Sequence, residues 1–135
     1  MNKTNIIRLI LISMLTACTS HNAFEKDLST ADSLMREQPD SAYRLLYAIE
    51  PEAASMPQAQ QMRRLLLLSN AQNKVYKPFT SDSIGILLTE YYSRNGNANE
   101  RMLAHYIKGC AYRDLGDQPA ALNCYNLAIG AADTS

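Results

Sequence analysis

Apolar side chains recur at helical spacing through most of the chain. Phe24, Leu28, Ala31 and Met35 fall four, three and four residues apart, on one face of a helix. Pro39 interrupts that helix, and Asp40 stands where a cap for the next is wanted. Ala42, Leu45, Leu46 and Ile49 form the second apolar stripe, which Pro51 stops. Ser55 and Pro57 read as the start of a long third helix that runs to Val75 around Leu65, Leu66, Leu67 and Leu68, and Pro78 closes it. Thr80 to Ser83 offer capping side chains to a fourth helix with Ile84, Leu87, Leu88, Tyr91 and Tyr92 as its apolar face. Gly96 follows at a position where a left-handed residue is often needed. A fifth helix is predicted from about Asn99 to Leu115, with Leu103, Tyr106, Ile107, Cys110 and Ala111 inward. Gly116 ends it, Asp117 caps the sixth, and Pro119 sits in that helix's first turn. Ala121, Leu122, Tyr125 and Ile129 make the sixth apolar side. No segment alternates with the two-residue period of a strand. The pattern predicts an all-α protein of six helices in three antiparallel hairpins.

The first residues follow a different plan. Lys3 and Arg8 precede a short apolar run from Leu9 to Leu15, the layout of a secretory signal and too short for a permanent membrane span. Leu15-Thr16-Ala17-Cys18 resembles the bacterial lipobox, a leucine and two small residues before the cysteine that takes a diacylglyceryl thioether. The resemblance implies a signal peptide at 1–17, lipidation of Cys18, a tether at 18–23 and a folded body at 24–135. At roughly 0.8 kcal/mol per buried methylene, two or three acyl chains such as palmitate hold a protein at a membrane. Thr19 after the cysteine implies, by likeness to enteric sorting rules, the periplasmic face of the outer membrane.

Composition narrows the function. Lysine plus arginine equals aspartate plus glutamate at 13 each, so the formal net charge is zero and nucleic acid is not an expected partner. Tryptophan is absent, while tyrosine occurs eight times. His21 and His105 have no partner at metal-ligand spacing, and no phosphate loop or nucleophile elbow occurs. Carboxylates such as Glu90, Glu100 and Asp114 read as solvated helix faces. The expectation is a protein without catalysis, cofactor or metal. Cys110 and Cys124 lie seven residues either side of Asp117. A disulfide there requires α-carbons roughly 4.4–6.8 Å apart, and two small buried thiols are the alternative.

The last hairpin carries a further pattern. Gly109, Tyr112, Gly116, Ala121, Tyr125 and Ala128 are separated by three, four, five, four and three residues. This resembles the tetratricopeptide repeat, a helix–turn–helix unit, over residues 102–135. The resemblance implies a right-handed solenoid of about three stacked hairpins, in which Gly109 and Ala121 are close-contact points, Tyr112 and Tyr125 fill gaps, and Gly116 turns the chain. The match departs at His105, where a large apolar residue is usual, and the terminal proline is absent. Earlier hairpins resemble the family more loosely, with Ala31 and Ala71 in the place of Gly109. The whole is similar to repeat-containing lipoproteins of gut-type anaerobic bacteria.

By that resemblance, Tyr106 and Arg113 project into a concave groove, with Asp32 and Gln72 as looser counterparts. Tyrosine and arginine are effective peptide anchors, and Tyr106 packing on its neighbours is the alternative. Tyr43 and Tyr47, one turn apart, either face a partner or cover the adjacent helix. The sixth helix, through Ile129 to Ala132, has no capping helix after it, so either another subunit covers it or more chain follows. Two functions are therefore expected alternatives. One is an envelope scaffold that binds an extended peptide or helix of another envelope protein. The other is the sensory input part of a longer signalling or transcriptional regulator.

Overall fold

The computed structural model describes residues 23–133, and among these every regular element is helical. The expected signal segment, Cys18, His21 and most of the expected tether lie outside the described residues. Helix α1 covers residues 23–34. It is followed by α2 (Pro39–Ala48), a 3-10 segment (Glu50–Ser55), α3 (Gln58–Lys74), α4 (Ser83–Asn95), α5 (Ala98–Asp114) and α6 (Gln118–Ala132). No helix among them is long and apolar enough to cross a membrane.

The element starts are set by local chemistry, and several differ from the expected ones. Pro39 is the first residue of α2, where its missing N–H leaves no bond unmade. Asp40 therefore lies inside the first turn, facing the positive helix end, and does not cap it. Pro51 opens the 3-10 segment after α2 has already ended at Ala48. Ser55 spends its hydroxyl on the carbonyl of Glu52 and caps nothing, and Pro57 holds the N-cap position of α3. Helix α5 begins one residue earlier than expected, because Asn97 and Glu100 form a reciprocal capping box. Asp117 caps α6 by accepting from the amide of Ala120. Gly96 is extended, at φ −98°, and is not left-handed. Its lack of a side chain serves packing instead, since a Cβ there would stand 2.8 Å from the ring of Tyr92.

Two apolar clusters carry the packing. One joins α1, α2 and α3 through Leu28, Ala31, Met35, Ala42, Leu46, Leu67 and Ala71. The other joins α3, α4 and α5 through Met62, Leu66, Leu88, Tyr92, Ala104, Ile107 and Cys110, with Phe79 from the α3–α4 link. Leu28, Leu46, Leu88 and Ile107 are fully buried, and each such side chain stabilises the fold by about 1.5–3 kcal/mol. Helix α5 is central, touching α3, α4 and α6. It approaches both later neighbours over glycines. A Cβ on Gly85 would meet the backbone of Lys108 at 2.8 Å, and one on Gly109 would meet the ring of Tyr125 at 2.5 Å and the carbonyl of Ala121 at 3.2 Å.

That closeness rearranges the expected inner faces. In α4 the buried residues are Gly85, Leu88 and Tyr92, while Ile84 and Leu87 are exposed. In α6 they are Ala121, Cys124 and Ala128, while Leu122 and Ile129 are exposed. Small residues make up the contact line of α6, and in α4 Gly85 shares it with Leu88 and Tyr92, while Ile84, Leu87, Leu122 and Ile129 stand on the flanks. Cys110 and Cys124 are free, buried thiols.

Two ends of α1 and α2 are held by the arginine pair of α3. Arg63 forms ion pairs with Glu25 and with Asp32, the latter at 3.6 Å. Arg64 is buried, donates Nε–H to the carbonyl of Leu46 at 2.9 Å, and faces Glu50 at 3.8 Å. A guanidinium at the carbonyl end of α2 complements the negative pole of that helix. Burial still lowers its pKa, an effect that Glu50 partly offsets.

Candidate functional site

Helices α1, α3, α5 and α6 present a shallow groove built from three adjoining depressions. The first is lined by Asp32 of α1, Arg63 and Leu66 of α3, and Glu100 and Leu103 of α5. The second, about 630 Å³, has Leu103, Tyr106, Tyr125 and Ile129 as its apolar floor, with Asn70 and Lys74 beside it. The third, also about 630 Å³, lies between the ends of α3 and α5 and the link that follows α3. Leu103 is shared by the first two, and Tyr106 and Lys74 by the last two.

Tyr106 sits at the junction, 39 % exposed, with its ring 5.8 Å from that of Tyr125. Its hydroxyl accepts from Asn73 Nδ2 at 3.3 Å. Asn73 Oδ1 in turn accepts from Arg113 Nη2 at 3.1 Å. Arg113 grips Asp114 through Nε at 2.8 Å and Nη2 at 2.7 Å. The second oxygen of Asp114 accepts the amide of Phe79 at 2.9 Å. The chain Phe79–Asp114–Arg113–Asn73–Tyr106 therefore ties the α3–α4 link to α5 and α5 back to α3. Much of the Arg113 fork is occupied by this clip, which also holds its charge more firmly, chiefly through the bond to Asp114.

Beneath it, Tyr125 donates its hydroxyl to Cys110 Sγ at 3.8 Å. Burial, helped by that thiol, pushes the Tyr125 phenol up to about 12 and raises that of Tyr106. Both phenols are neutral at physiological pH, so the groove floor offers ring surface and hydroxyls without charge. Burial also raises the Cys124 thiol, which favours the less reactive protonated form.

The expected residues divide in a simple way. Tyr106 and Arg113 meet in one network, and Asp32 lines the far depression. Gln72 points away and donates to the carbonyl of Pro78 at 3.3 Å. Its neighbour Asn73 makes the contacts to Tyr106 and Arg113. Gly109 and Ala121 touch across α5 and α6, Tyr125 fills the space over Gly109, and Gly116 turns at φ +84°. Ala128 is buried and Tyr112 is half-buried. Tyr43 packs against the α1–α3 cluster, stacks on the exposed Tyr47, and carries Lys77 over its ring at 4.1 Å. His105 lies outside the groove, its Nδ1 buried without a hydrogen-bond partner, and burial with the nearby Lys108 lowers its pKa. Among the described residues, no group of three or more histidine, cysteine or carboxylate side chains is placed to hold a metal.

Sequence reasoning missed Asn73, Lys74, Tyr76 and Lys77. Asn73 had a usable signal, since it lies seven residues after Leu66 and three after Asn70 on the groove side of α3. The other three gather only once the link folds back. Comparison with protein-family models, with curated proteins and with solved structures finds no match to this chain.

Proposed function

We propose that the chain is a lipid-anchored, tetratricopeptide-like repeat protein that binds an extended segment of another envelope protein and performs no catalysis. The observation that carries this reading is the run of adjoining depressions along α1, α3, α5 and α6, with an apolar floor at Leu103, Tyr106, Tyr125 and Ile129. An extended segment needs apolar anchor points flanked by hydrogen-bonding groups, and Asn70, Asn73 and Asn99 supply the latter. The close contact of Gly109 with Ala121 and Tyr125, and the glycine turn at 116, support the repeat character of the last hairpin. The lipobox-like sequence ending at Cys18 supports the anchor and, with Thr19, the periplasmic face of the outer membrane.

The test is site-specific photo-crosslinking in cells. A benzophenone side chain at Ile129, in the groove, is expected to trap a discrete partner, and one at Leu87, on the outside of α4, is not. Equal trapping at both positions, or none at Ile129, counts against the groove. The intact mass of the membrane-extracted protein tests the anchor: residues 18–135 plus acyl chains support it, and an unlipidated mass removes it.

Helix α6 favours a second reading. Its 15 residues carry no charged side chain, and Leu122, Leu127 and Ile129 are exposed at 60 %, 48 % and 62 %. A further helical unit stacked on that face fits the input region of a longer regulator. A native protein much larger than 15.1 kDa on an immunoblot supports it, and a band at the lipidated size does not.

A further inference from the structure

Tyr76 is the one non-glycine residue among those described with a positive φ, at +57°. Its ring is 92 % exposed. It occupies the left-handed position of the turn that ends α3, where the amides of Tyr76 and Lys77 bond back to the carbonyls of Asn73 and Gln72. A left-handed conformation strains a residue with a Cβ, and glycine would adopt it freely. An exposed ring contributes almost no burial in return. Among the described residues no packing contact accounts for an aromatic residue at 76, and its ring stands open to a second molecule.

The charges around it say what kind of molecule. Tyr76 lines the third depression together with Lys74, Lys77 and Arg113, against one carboxylate, Asp114. Arg113 and Asp114 neutralise each other at 2.7 Å, which leaves Lys74 and Lys77, the latter keeping its charge while its ammonium lies over the Tyr43 ring at 4.1 Å. The carbonyl ends of α3 and α5 open here as well, and each contributes about half a negative charge, so the lysines still prevail. This is a local excess in a chain whose formal net charge is zero. The opposite end of the groove has the reverse balance, with Asp32 and Glu100 facing Arg63.

We infer that the depression formed by Lys74, Tyr76, Lys77 and Pro78 docks an acidic segment of a partner protein, with Tyr76 as its exposed aromatic anchor. The segment's carboxylates face Lys74 and Lys77, and an apolar side chain beside them covers the Tyr76 ring. This rests on the groove reading for the path of the remaining segment, and adds to it the partner's charge and one contact residue.

The test uses the purified protein and a fluorescein-labelled peptide in which glutamate alternates with leucine and serine, read by anisotropy. A peptide with lysine in place of glutamate serves as the control. Wild type is expected to bind the glutamate peptide in a salt-sensitive way and to ignore the lysine peptide. Tyr76→Gly is expected to raise the melting temperature yet weaken binding about tenfold, the loss typical of an aromatic anchor. Lys74→Glu with Lys77→Glu is expected to reverse the peptide preference. The inference is overturned by equal affinity for both peptides, by Tyr76→Gly that stabilises without weakening binding, or by binding to phosphatidylglycerol vesicles in place of the peptide. Ile129→Asn separates the two readings. If it abolishes binding while Tyr76→Gly does not, the groove stands and this inference falls. If the Tyr76 and lysine variants abolish binding while Ile129→Asn binds like wild type, this inference stands and the extended groove falls.

Discussion

The hairpins α3–α4 and α5–α6 solve one problem in two ways. Each first helix ends in the same hydrogen-bonded turn, the last two amides reaching back to the carbonyls of Gln72 and Asn73 in one case and Tyr112 and Arg113 in the other. After α5 the left-handed position is Gly116, and Asp117 starts α6 at once with a side-chain cap. After α3 it is Tyr76, and the chain runs on through Pro78 and Phe79 before α4 begins behind an uncapped Asp82. The short link lets α6 lie flat on α5 over Gly109. The long one sends Phe79 into the core and leaves a cleft behind it, and α4 leans on α5 at Gly85. The tighter hairpin is held by backbone proximity, the looser one by a side-chain clip.

The sharpest way to break the tighter hairpin, α5–α6, is at its closest contact. Gly109→Val forces two methyl groups into a space where even a Cβ would lie 2.5 Å from the Tyr125 ring and 3.2 Å from the Ala121 carbonyl. Overpacking of this kind costs about 3 kcal/mol, and thermal denaturation should show a fall in melting temperature on the order of 10 °C or more. A fall no larger than a few degrees would mean that α6 shifts freely and that the contact does not define the pair.

The looser hairpin, α3–α4, should break at Asp114. Its side chain is only 12 % exposed, and removing it leaves the amide of Phe79 without its acceptor and the Arg113 fork with Asn73 but no carboxylate. Asp114→Ala is expected to cost about 2 kcal/mol by denaturant unfolding. Asp114→Asn keeps an oxygen for Phe79 and loses the ion pair, so it should cost about half as much. If the two variants are equal, charge and not the Phe79 bond holds the link.

These differences mark what the sequence discloses. Gly116, Asp117 and Pro119 were legible because turn and cap chemistry is local, and the residue types themselves carry the backbone preference. Tyr76 was not, since nothing about tyrosine announces a left-handed turn. Helical periodicity located six helices, yet it assigned Ile84, Leu87, Leu122 and Ile129 to inner faces that they do not occupy. Periodicity finds the larger apolar side chains, whereas close approach to α5 turns Gly85 of α4 and Ala121, Cys124 and Ala128 of α6 inward as well. Tyr106 and Arg113 were found through a resemblance, and their network partner was missed by one position because Gln72 and Asn73 differ by only one step around α3. The 3-10 segment at Glu50–Ser55 was missed for another reason, since Pro51 in a first turn looks the same from sequence as a proline that stops a helix.

The two turns can be exchanged to measure their cost directly. Gly116→Tyr installs at the short link what the long link already has. No atom lies within 4 Å of the Cβ it would add, so the change reports backbone strain and little else. A loss of about 1 kcal/mol is expected. A neutral result would show that this turn accepts a side chain without strain, and would remove the reason to look for a use of Tyr76.

The reciprocal change is the smallest effect and the most informative. Tyr76→Gly relieves a left-handed residue at φ +57° and gives up a ring that is 92 % exposed. Against the relief stands the greater freedom of glycine in the unfolded chain, worth roughly 0.5–1 kcal/mol. The balance should favour the variant by about 0.5 kcal/mol, a rise of roughly 2–4 °C in melting temperature. A rise means that the native chain carries a stability deficit at 76 which a single substitution removes, so the ring is kept for something outside the fold. A fall means that the ring stabilises the link, through contact with the loop or with Pro39 across the cleft, and Tyr76 then belongs to the same class of support as Phe79 and Asp114. The sign of one small shift thus decides whether the looser hairpin is merely less well made than the tighter one, or is built around a surface.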